Sequence, residues 1–205
     1  MLFLKIKNMK LENNYFLLRH GESLKNVRGF ESCWPEKKRI PLTRQGREQI
    51  KIAAKTVTEK KIGLIFCSDL LRTKQTAEIV GKIVKVKPKL DKRLREIGLG
   101  IFNGRSVKEF GDFWNQGEKL SPAQHYQRRF IIPLPKGETY AQAELRLLSF
   151  IKDVEGKYRG KNILVVSHQR PLTLLEKAVK GYSILKFVNL IVNKKEIKTG
   201  ELRKL

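Results

Sequence analysis

The segment Tyr15-Phe16-Leu17-Leu18-Arg19-His20-Gly21 decides the predicted fold, because a short apolar run gives way at once to charged and small residues. A run of this length with such a boundary is typical of a buried β-strand. The pattern recurs at Gly63–Cys67, which Ser68 follows, and at Asn162–Val166, which Ser167-His168 follows. We therefore predict three buried strands, each with polar side chains directly after it.

Amphipathic segments lie between these strands and predict helices. Thr43 is placed to cap the first helix, and Ser68 and Asp69 are placed to cap the second. Alternating strands and helices are typical of an α/β protein, here a three-layer α/β/α sandwich with a mostly parallel central sheet. The predicted helices cover about residues 44–60, 70–82, 138–158 and 172–180.

The remaining segments are less regular. Val86–Leu90 is predicted as a short edge strand, and Phe187–Val192 with Ile197–Arg203 as a closing β-hairpin. Residues 98–136 are aromatic and irregular, with one predicted helix near residues 107–115. Because long irregular stretches in compact domains usually serve a function, we predict that residues 98–136 form a lid or substrate-binding segment.

Length and composition predict one catalytic domain. The chain has 205 residues, and domains usually run roughly 100–200 residues. We assign residues 15–205 to this domain and residues 1–14 to a short basic N-terminal extension, of which residues 1–8 are predicted to be dispensable. The sequence contains neither an apolar run of membrane-spanning length nor a signal-peptide pattern, so we expect a cytoplasmic protein. Cys33 and Cys67 are expected to be reduced thiols.

The charge predicts an anionic partner. The chain carries 44 Lys and Arg against 20 Asp and Glu, a formal net charge of +24. Such a field concentrates phosphate esters, nucleic acid or acidic membranes near the surface, although a solvated lysine coat is the simpler explanation of the charge. The basic residues are spread along the chain, without the block typical of a nucleic-acid arm. We therefore predict a small-molecule phosphate ester as partner, with nucleic acid as an alternative and no membrane; the oligomeric state is left open.

The strand ends supply the candidate catalytic residues. In parallel sheets, ligands bind beyond the carboxyl ends of the strands, so Arg19, His20, Arg72 and His168 are expected at one edge. A neutral imidazole is a competent nucleophile, Arg grips two phosphoryl oxygens at once, and a second His held as imidazolium would stabilise their charge. Glu96 offers the carboxylate that moves the proton. Each residue taken alone also has a structural explanation.

Six motifs in order resemble the histidine phosphatase superfamily, in the branch that includes cofactor-dependent phosphoglycerate mutases and small broad-specificity phosphatases. One such motif would be weak evidence, whereas six spread from Tyr15 to the C-terminus are specific. The motifs are Leu18-Arg19-His20-Gly21-Glu22-Ser23 with Asn26, Pro41-Leu42-Thr43 with Gly46 and Gln49, Ser68-Asp69-Leu70-Leu71-Arg72-Thr73-Lys74-Gln75-Thr76-Ala77, Leu94-Arg95-Glu96 with Gly100, Pro135-Lys136-Gly137-Glu138-Thr139, and Val165-Val166-Ser167-His168.

The resemblance implies roles that agree with the chemistry of the strand ends. His20 would become phosphohistidine. Phosphoryl oxygens would be held by Arg19, Arg72 and His168. Glu96 would act first as proton donor and then as base.

The resemblance also implies substrate contacts. Asn26 would reach a phosphate oxygen, and Ser32 matches a position that often contacts the substrate. Gln169 stands where the family usually has glycine, so its side chain would narrow the pocket or bond to the substrate. The resemblance implies no metal and no cofactor.

These features predict a phosphomonoester hydrolase that acts through phosphohistidine on a small anionic phosphate ester. A cofactor-dependent phosphoglycerate mutase is the first alternative, because Tyr126-Gln127-Arg128-Arg129-Phe130 resembles a substrate-gripping arginine pair of mutases. A protein that binds RNA or another polyanion on a phosphatase fold is the second. Hydrolysis is favoured over isomerisation because the segment after Glu96 is shorter than in a typical mutase.

Overall fold

The computed structural model describes residues 10–115 and 120–205. Within them, five strands form one sheet in the order β3-β2-β4-β1-β5. Strands β1 to β4 are parallel, and β5 runs antiparallel to β1 at one edge. The strands are β1 Asn14–Arg19, β2 Leu64–Cys67, β3 Lys89–Leu90, β4 Asn162–Ser167 and β5 Leu202–Lys204.

Eight α-helices accompany the sheet in the described part of the chain. Two short 3₁₀ helices, Lys92–Leu94 and Gly100–Phe102, lie between β3 and the fourth α-helix. The α-helices are α1 Leu24–Arg28, α2 Arg44–Glu59, α3 Leu71–Val84, α4 Val107–Asn115, α5 Pro122–Arg128, α6 Tyr140–Lys157, α7 Gln169–Lys180 and α8 Ile184–Val192.

Two apolar cores separate the three layers. Phe16 and Leu18 of β1 pack with α2 and α3 on one face of the sheet. Leu17, between them, points to the other face and packs with α6, α7 and α8. Because side chains alternate along a strand and both faces are covered, the central strands are apolar at nearly every position. The predicted α/β/α sandwich is confirmed.

The predicted C-terminal hairpin is wrong. Residues 184–192 form helix α8, which Ser183 caps through its side chain. Phe187, Val188 and Ile191 are buried, a spacing that places them on one helical face against the core. The second predicted strand shrinks to β5, which pairs with β1. A short apolar run fits either a strand or a buried helix, and here packing against the helical layer decides.

Other predicted bounds change less. The edge strand is confined to Lys89–Leu90, and the segment 98–136 contains two α-helices among its described residues. A short helix, α1, lies between β1 and α2. Helix α7 begins three residues earlier than predicted, directly after His168. Thr43 caps α2 as predicted, accepting a hydrogen bond from the Gly46 N–H.

Three further observations bear on the sequence predictions. The cysteines, Cys33 and Cys67, are free and buried. In the described ranges, no helix has both the length and the apolar character needed to cross a membrane. Residues 1–9, which carry most of the predicted N-terminal extension, lie outside the described residues.

Candidate active site

The carboxyl ends of β1 and β4 bring the two candidate histidines together. Arg19 and Ser167 are register partners, and the His20 N–H donates to the Ser167 carbonyl at 3.1 Å. The imidazoles of His20 and His168 then lie edge to face, with ring centroids 5.3 Å apart. Residues 148 positions apart in sequence are therefore neighbours, as the strand-end rule predicts.

His20 has the geometry of a nucleophile. Its Nδ1 lies 2.8 Å from the Gly21 carbonyl oxygen, so Nδ1 carries the proton and donates, and the Nε2 lone pair is left for attack. Burial, and then the charges of Arg72 and Arg19, lower the pKa of His20 well below its ordinary value. The ring is therefore neutral at pH 7. A side chain at Gly21 would meet the Gly46 carbonyl oxygen at 2.4 Å, so this turn requires glycine.

His168 precedes helix α7 and is fully buried. Its Nε2 lies 3.1 Å from Ser68 Oγ, and its Nδ1 has no hydrogen-bond partner among the described residues. Burial and the charge of Arg72 lower the pKa of His168 well below its ordinary value. Burial and the neighbouring cations therefore favour the neutral ring, and the predicted imidazolium stays a prediction for His168 beside a phosphoryl group.

Arg72 lies in the first turn of α3 with no exposed surface. Its Nη1 donates to Glu36 Oε1 at 2.7 Å, and its Nη2 donates to the Ser32 carbonyl at 3.2 Å. The third nitrogen, Nε, is buried and meets no acceptor in the described structure. A buried donor without a partner is costly, and a bound anion is one way to satisfy it.

Arg19 shows the same pattern at the end of β1. Its Nη1 donates to the Ile197 carbonyl at 3.1 Å, whereas its buried Nε has no acceptor within the described ranges. Burial lowers the pKa of Arg19, and the carboxylate of Glu96 opposes that effect. The guanidinium charges of Arg19 and Arg72 thus lower the pKa of His20, and each group has an Nε–H donor without an acceptor in the described residues.

Glu96 is brought to the same site from the segment after β3. Burial lowers the pKa of Arg19 and of Arg72, and the negative charge of Glu96 is the strongest electrostatic effect that raises both pKa values again. Its Oε1 accepts from the Ile97 N–H at 3.0 Å, and Arg146 Nη2 holds its carbonyl at 3.3 Å. Glu96 also lines a cavity, which suits a group that meets the leaving side of a substrate.

The three predicted substrate contacts differ in their surroundings. Ser32 is 2% exposed, and its Oγ has no hydrogen-bond partner in the part of the chain described. Gln169 opens α7 and lines the cavity. Asn26 is exposed, and its Oδ1 accepts from the N–H and the hydroxyl of Ser23. The Asn26 oxygen therefore serves the start of α1, leaving only its amide N–H₂ for a phosphate.

A cavity of about 390 Å³ is lined by Glu96 and by Gln169, the residue that follows His168, whereas His20 and His168 are not among its lining residues. Part of its wall is apolar and comes from the 98–136 segment. Arg129 adds positive charge: its Nη1 donates to the Tyr140 hydroxyl at 2.8 Å, and its buried Nη2 lacks an acceptor among the described residues. The apolar lining residues are Ile97, Leu99, Val107, Phe110, Pro122 and Tyr126.

Two residues at the site escaped the sequence prediction. Glu36 pairs with Arg72, and Arg170 lines the cavity while donating to the buried carboxylate of Glu196. Glu36 did carry a signal, since it is the only acid between Glu31 and Glu48 in a basic stretch. Its partner, however, lies 36 positions away, and spacing alone does not reveal such a pair.

No metal centre is evident in the described residues, where groups of three or more His, Cys, Asp or Glu with suitable geometry are absent.

Comparison with known protein families matches the histidine phosphatase superfamily (branch 1) over residues 15–202. The "Probable phosphoglycerate mutase GpmB" of Yersinia enterocolitica is 30% identical over 176 residues, which cover 81% of this chain and 74% of that protein. The protein of the same name from Photorhabdus laumondii is 28% identical over 178 residues, with the same two shares.

Solved structures share the fold. The mycobacterial glucosyl-3-phosphoglycerate phosphatase in complex with VO3 aligns with a TM-score of 0.78 at 21% identity, covering 94% of this chain and 92% of that chain. The α-ribazole phosphatase from Shigella flexneri aligns with a TM-score of 0.75 at 23% identity, covering 93% and 89%. At these identities the likeness concerns the architecture.

Proposed function

The chain belongs to the histidine phosphatase superfamily (branch 1), and from this membership we propose that it hydrolyses a small anionic phosphate monoester through a phosphohistidine intermediate. One observation carries the proposal. His20 is neutral, its Nδ1 is tied to the Gly21 carbonyl, and its Nε2 lies free for attack in a site with two cationic guanidinium groups. This combination suits attack on phosphorus far better than it suits a structural histidine.

In the first step, His20 Nε2 attacks the phosphorus atom of the ester. A P–N bond forms, the P–O bond to the leaving group breaks, and Glu96 gives its proton to the departing alkoxide. Arg19, Arg72 and His168 hold the three remaining oxygens, whose charge the unused Nε–H donors of the arginines stabilise.

In the second step, water attacks the phosphohistidine. Glu96, now a carboxylate, takes the proton from water, the P–N bond breaks, and inorganic phosphate leaves. His20 recovers its lone pair and the cycle closes. Both steps draw only on ester, water and one exchanged proton. We assign no cofactor and no metal to either step.

The cavity suggests the leaving group. Its apolar wall suits a carbon skeleton, and the buried Arg129 Nη2 suits a second anionic group such as a carboxylate. Gln169 is proposed to contact this part of the substrate, while Ser32 Oγ and the amide of Asn26 are proposed to contact the phosphoryl group.

A phosphoglycerate mutase-type phosphotransferase is the second candidate. It is favoured by Arg129, whose guanidinium suits the carboxylate of a phosphoglycerate, and the curated relatives carry that name. A mutase returns the phosphoryl group to the same substrate, whereas a phosphatase delivers it to water. Isomerisation of 3-phosphoglycerate only after priming with the bisphosphate, with little release of phosphate, would overturn hydrolysis.

The deciding experiment is a screen of the purified protein across phosphate esters, with His20→Ala as the control. We expect release of phosphate from at least one ester, together with acid-labile phosphate on the wild-type protein and none on His20→Ala. A wild-type protein that releases no phosphate and carries no acid-labile phosphate contradicts the proposal.

The cellular setting follows the same proposal. A small phosphate ester is the proposed partner and the cytoplasm the proposed location, with residues 15–205 as the catalytic domain. Binding to RNA is tested by gel shift at low and high salt, because phosphate contacts weaken steeply as salt rises.

A further inference from the structure

The geometry points to Glu36 as the positioning residue of Arg72, a role that rests on the proposed function. Glu36 fixes the outer edge of the Arg72 guanidinium and so directs its inner N–H donors to the phosphoryl group. This role assigns a task to the segment between α1 and α2, which otherwise carries no proposed catalytic group beyond Ser32.

The Glu36 carboxylate makes two bonds to helix α3. Oε1 accepts from Arg72 Nη1 at 2.7 Å, and Oε2 accepts from the Leu71 N–H at 3.2 Å. Leu70, at the N-cap position, makes no side-chain cap bond, so Glu36 caps the helix from a distant segment. A carboxylate held at both oxygens has little freedom to turn, and its partner guanidinium is held with it.

The bonds of Arg72 divide its guanidinium into two edges. Nη1 is held by Glu36 and Nη2 by the Ser32 carbonyl, whereas the buried Nε has no acceptor in the ranges described. A free arginine side chain samples many rotamers and loses conformational entropy when it is ordered. If Arg72 is already fixed before the substrate arrives, substrate binding does not carry this entropic cost. The remaining donor, the Nε–H of Arg72, is the group that would donate to a phosphoryl oxygen.

The segment that carries Glu36 is itself anchored. Asn103 accepts from the Cys33 N–H at 3.1 Å and donates to the Pro35 carbonyl at 2.7 Å. Trp34 lies over the guanidinium of Arg95, 3.9 Å from ring centroid to Cζ, and Arg95 in turn bonds both oxygens of Asp69. A positioning group acts only if its own support is rigid, and these contacts supply that support.

The test compares Glu36→Ala and Glu36→Gln with wild type, and uses Glu48→Ala as a control because Glu48 is an exposed acid paired with Lys51 on α2. Two quantities are measured: kcat and KM for an ester, and the dissociation constant of inorganic phosphate by calorimetry. The second does not need turnover, so it separates failure of this inference from failure of the proposed hydrolysis.

We expect Glu36→Ala to weaken phosphate binding about 10-fold and to lower kcat more than it raises KM, since a charged hydrogen bond that orients Arg72 is lost. Glu36→Gln keeps an oxygen for Nη1 but places an amide N–H₂ against the Leu71 N–H, so its phosphate binding should lie between those of Glu36→Ala and wild type. Glu48→Ala should match wild type. A folded Glu36→Ala protein that binds phosphate as wild type does, or more tightly, overturns the inference.

If Glu36→Ala does not fold, Glu36→Asp decides in its place. It keeps the charge but withdraws it by one methylene, so the positioning role predicts weaker phosphate binding than in wild type. Phosphate binding by Glu36→Asp as tight as that of wild type contradicts the role.

Discussion

His20 and His168 directly follow two adjacent parallel strands, β1 and β4, with their ring planes inclined at 64°, and both are buried next to Arg72. Such a pair stays neutral because each further proton would join two fixed guanidinium charges in a poorly solvated site. The neutrality serves the proposed attack by His20. It also links folding to pH.

Acid is expected to destabilise the fold through these two histidines. Their folded pKa values lie well below about 6.5, the ordinary unfolded value, so the unfolded chain binds more protons below that pH. Stability is full above about 6.5 and falls as pH drops below it, by up to about 1.4 kcal/mol per pH unit for each histidine. Urea unfolding at pH 7.5, 6.5 and 5.5 measures the free energy of unfolding and therefore its slope with pH. A smaller slope is expected for His168→Asn, and an unchanged slope would contradict the assignment.

Glu96→Gln is expected to trap the phosphorylated protein. An ester with a good leaving group, such as a nitrophenyl phosphate, needs little help from an acid, so His20 is still phosphorylated. Hydrolysis of the phosphohistidine loses its base and slows by roughly 10²–10⁴-fold. Acid-labile phosphate should therefore accumulate on Glu96→Gln and remain low on the surface control Glu48→Gln. Failure to accumulate it, with turnover intact, removes Glu96 from the proposed mechanism.

Arg129→Met is expected to change substrate preference. The substitution keeps an apolar stem but removes the guanidinium of a residue that lines the cavity, including its buried Nη2. Esters whose leaving group carries a carboxylate should lose about 10-fold in kcat/KM, the cost of one charged hydrogen bond. Esters with a neutral leaving group should be nearly unaffected and serve as the internal control. Arg105→Met, at an exposed arginine, is the matched variant. Equal losses for both kinds of ester would show that Arg129 supports the fold only.

Glu144→Ala is expected to destabilise the helical layer formed by α6 and α7. Lys177 Nζ lies 2.8 and 3.0 Å from the two oxygens of Glu144, and both residues are buried. Removing one partner leaves an uncompensated buried charge, which costs about 3–5 kcal/mol. Denaturant unfolding measures the loss. Glu48→Ala, which breaks an exposed pair, should change stability by less than about 1 kcal/mol. A stability of Glu144→Ala close to that of wild type would contradict this expectation and show that the Lys177 ammonium is solvated without Glu144.

Much of the site was predictable because its residues follow strands directly. Arg19, His20 and His168 are attached to buried apolar runs, and parallel strands carry whatever follows them to one edge of the sheet. Helix α8 was not predictable in the same way. Its apolar run suits a strand as well as a helix, and the choice depends on which neighbour buries it.

The sequence by itself determined the layers, the strand ends and the candidate residues at those ends, because local apolar periodicity and short-range order encode them. The tertiary structure decided the tautomer of His20, the neutral state of His168 and the pairing of Glu36 with Arg72. These depend on burial and on contacts between segments far apart in the chain. The energy of a proton or an ion pair is set by its three-dimensional surroundings, which no short stretch of sequence contains.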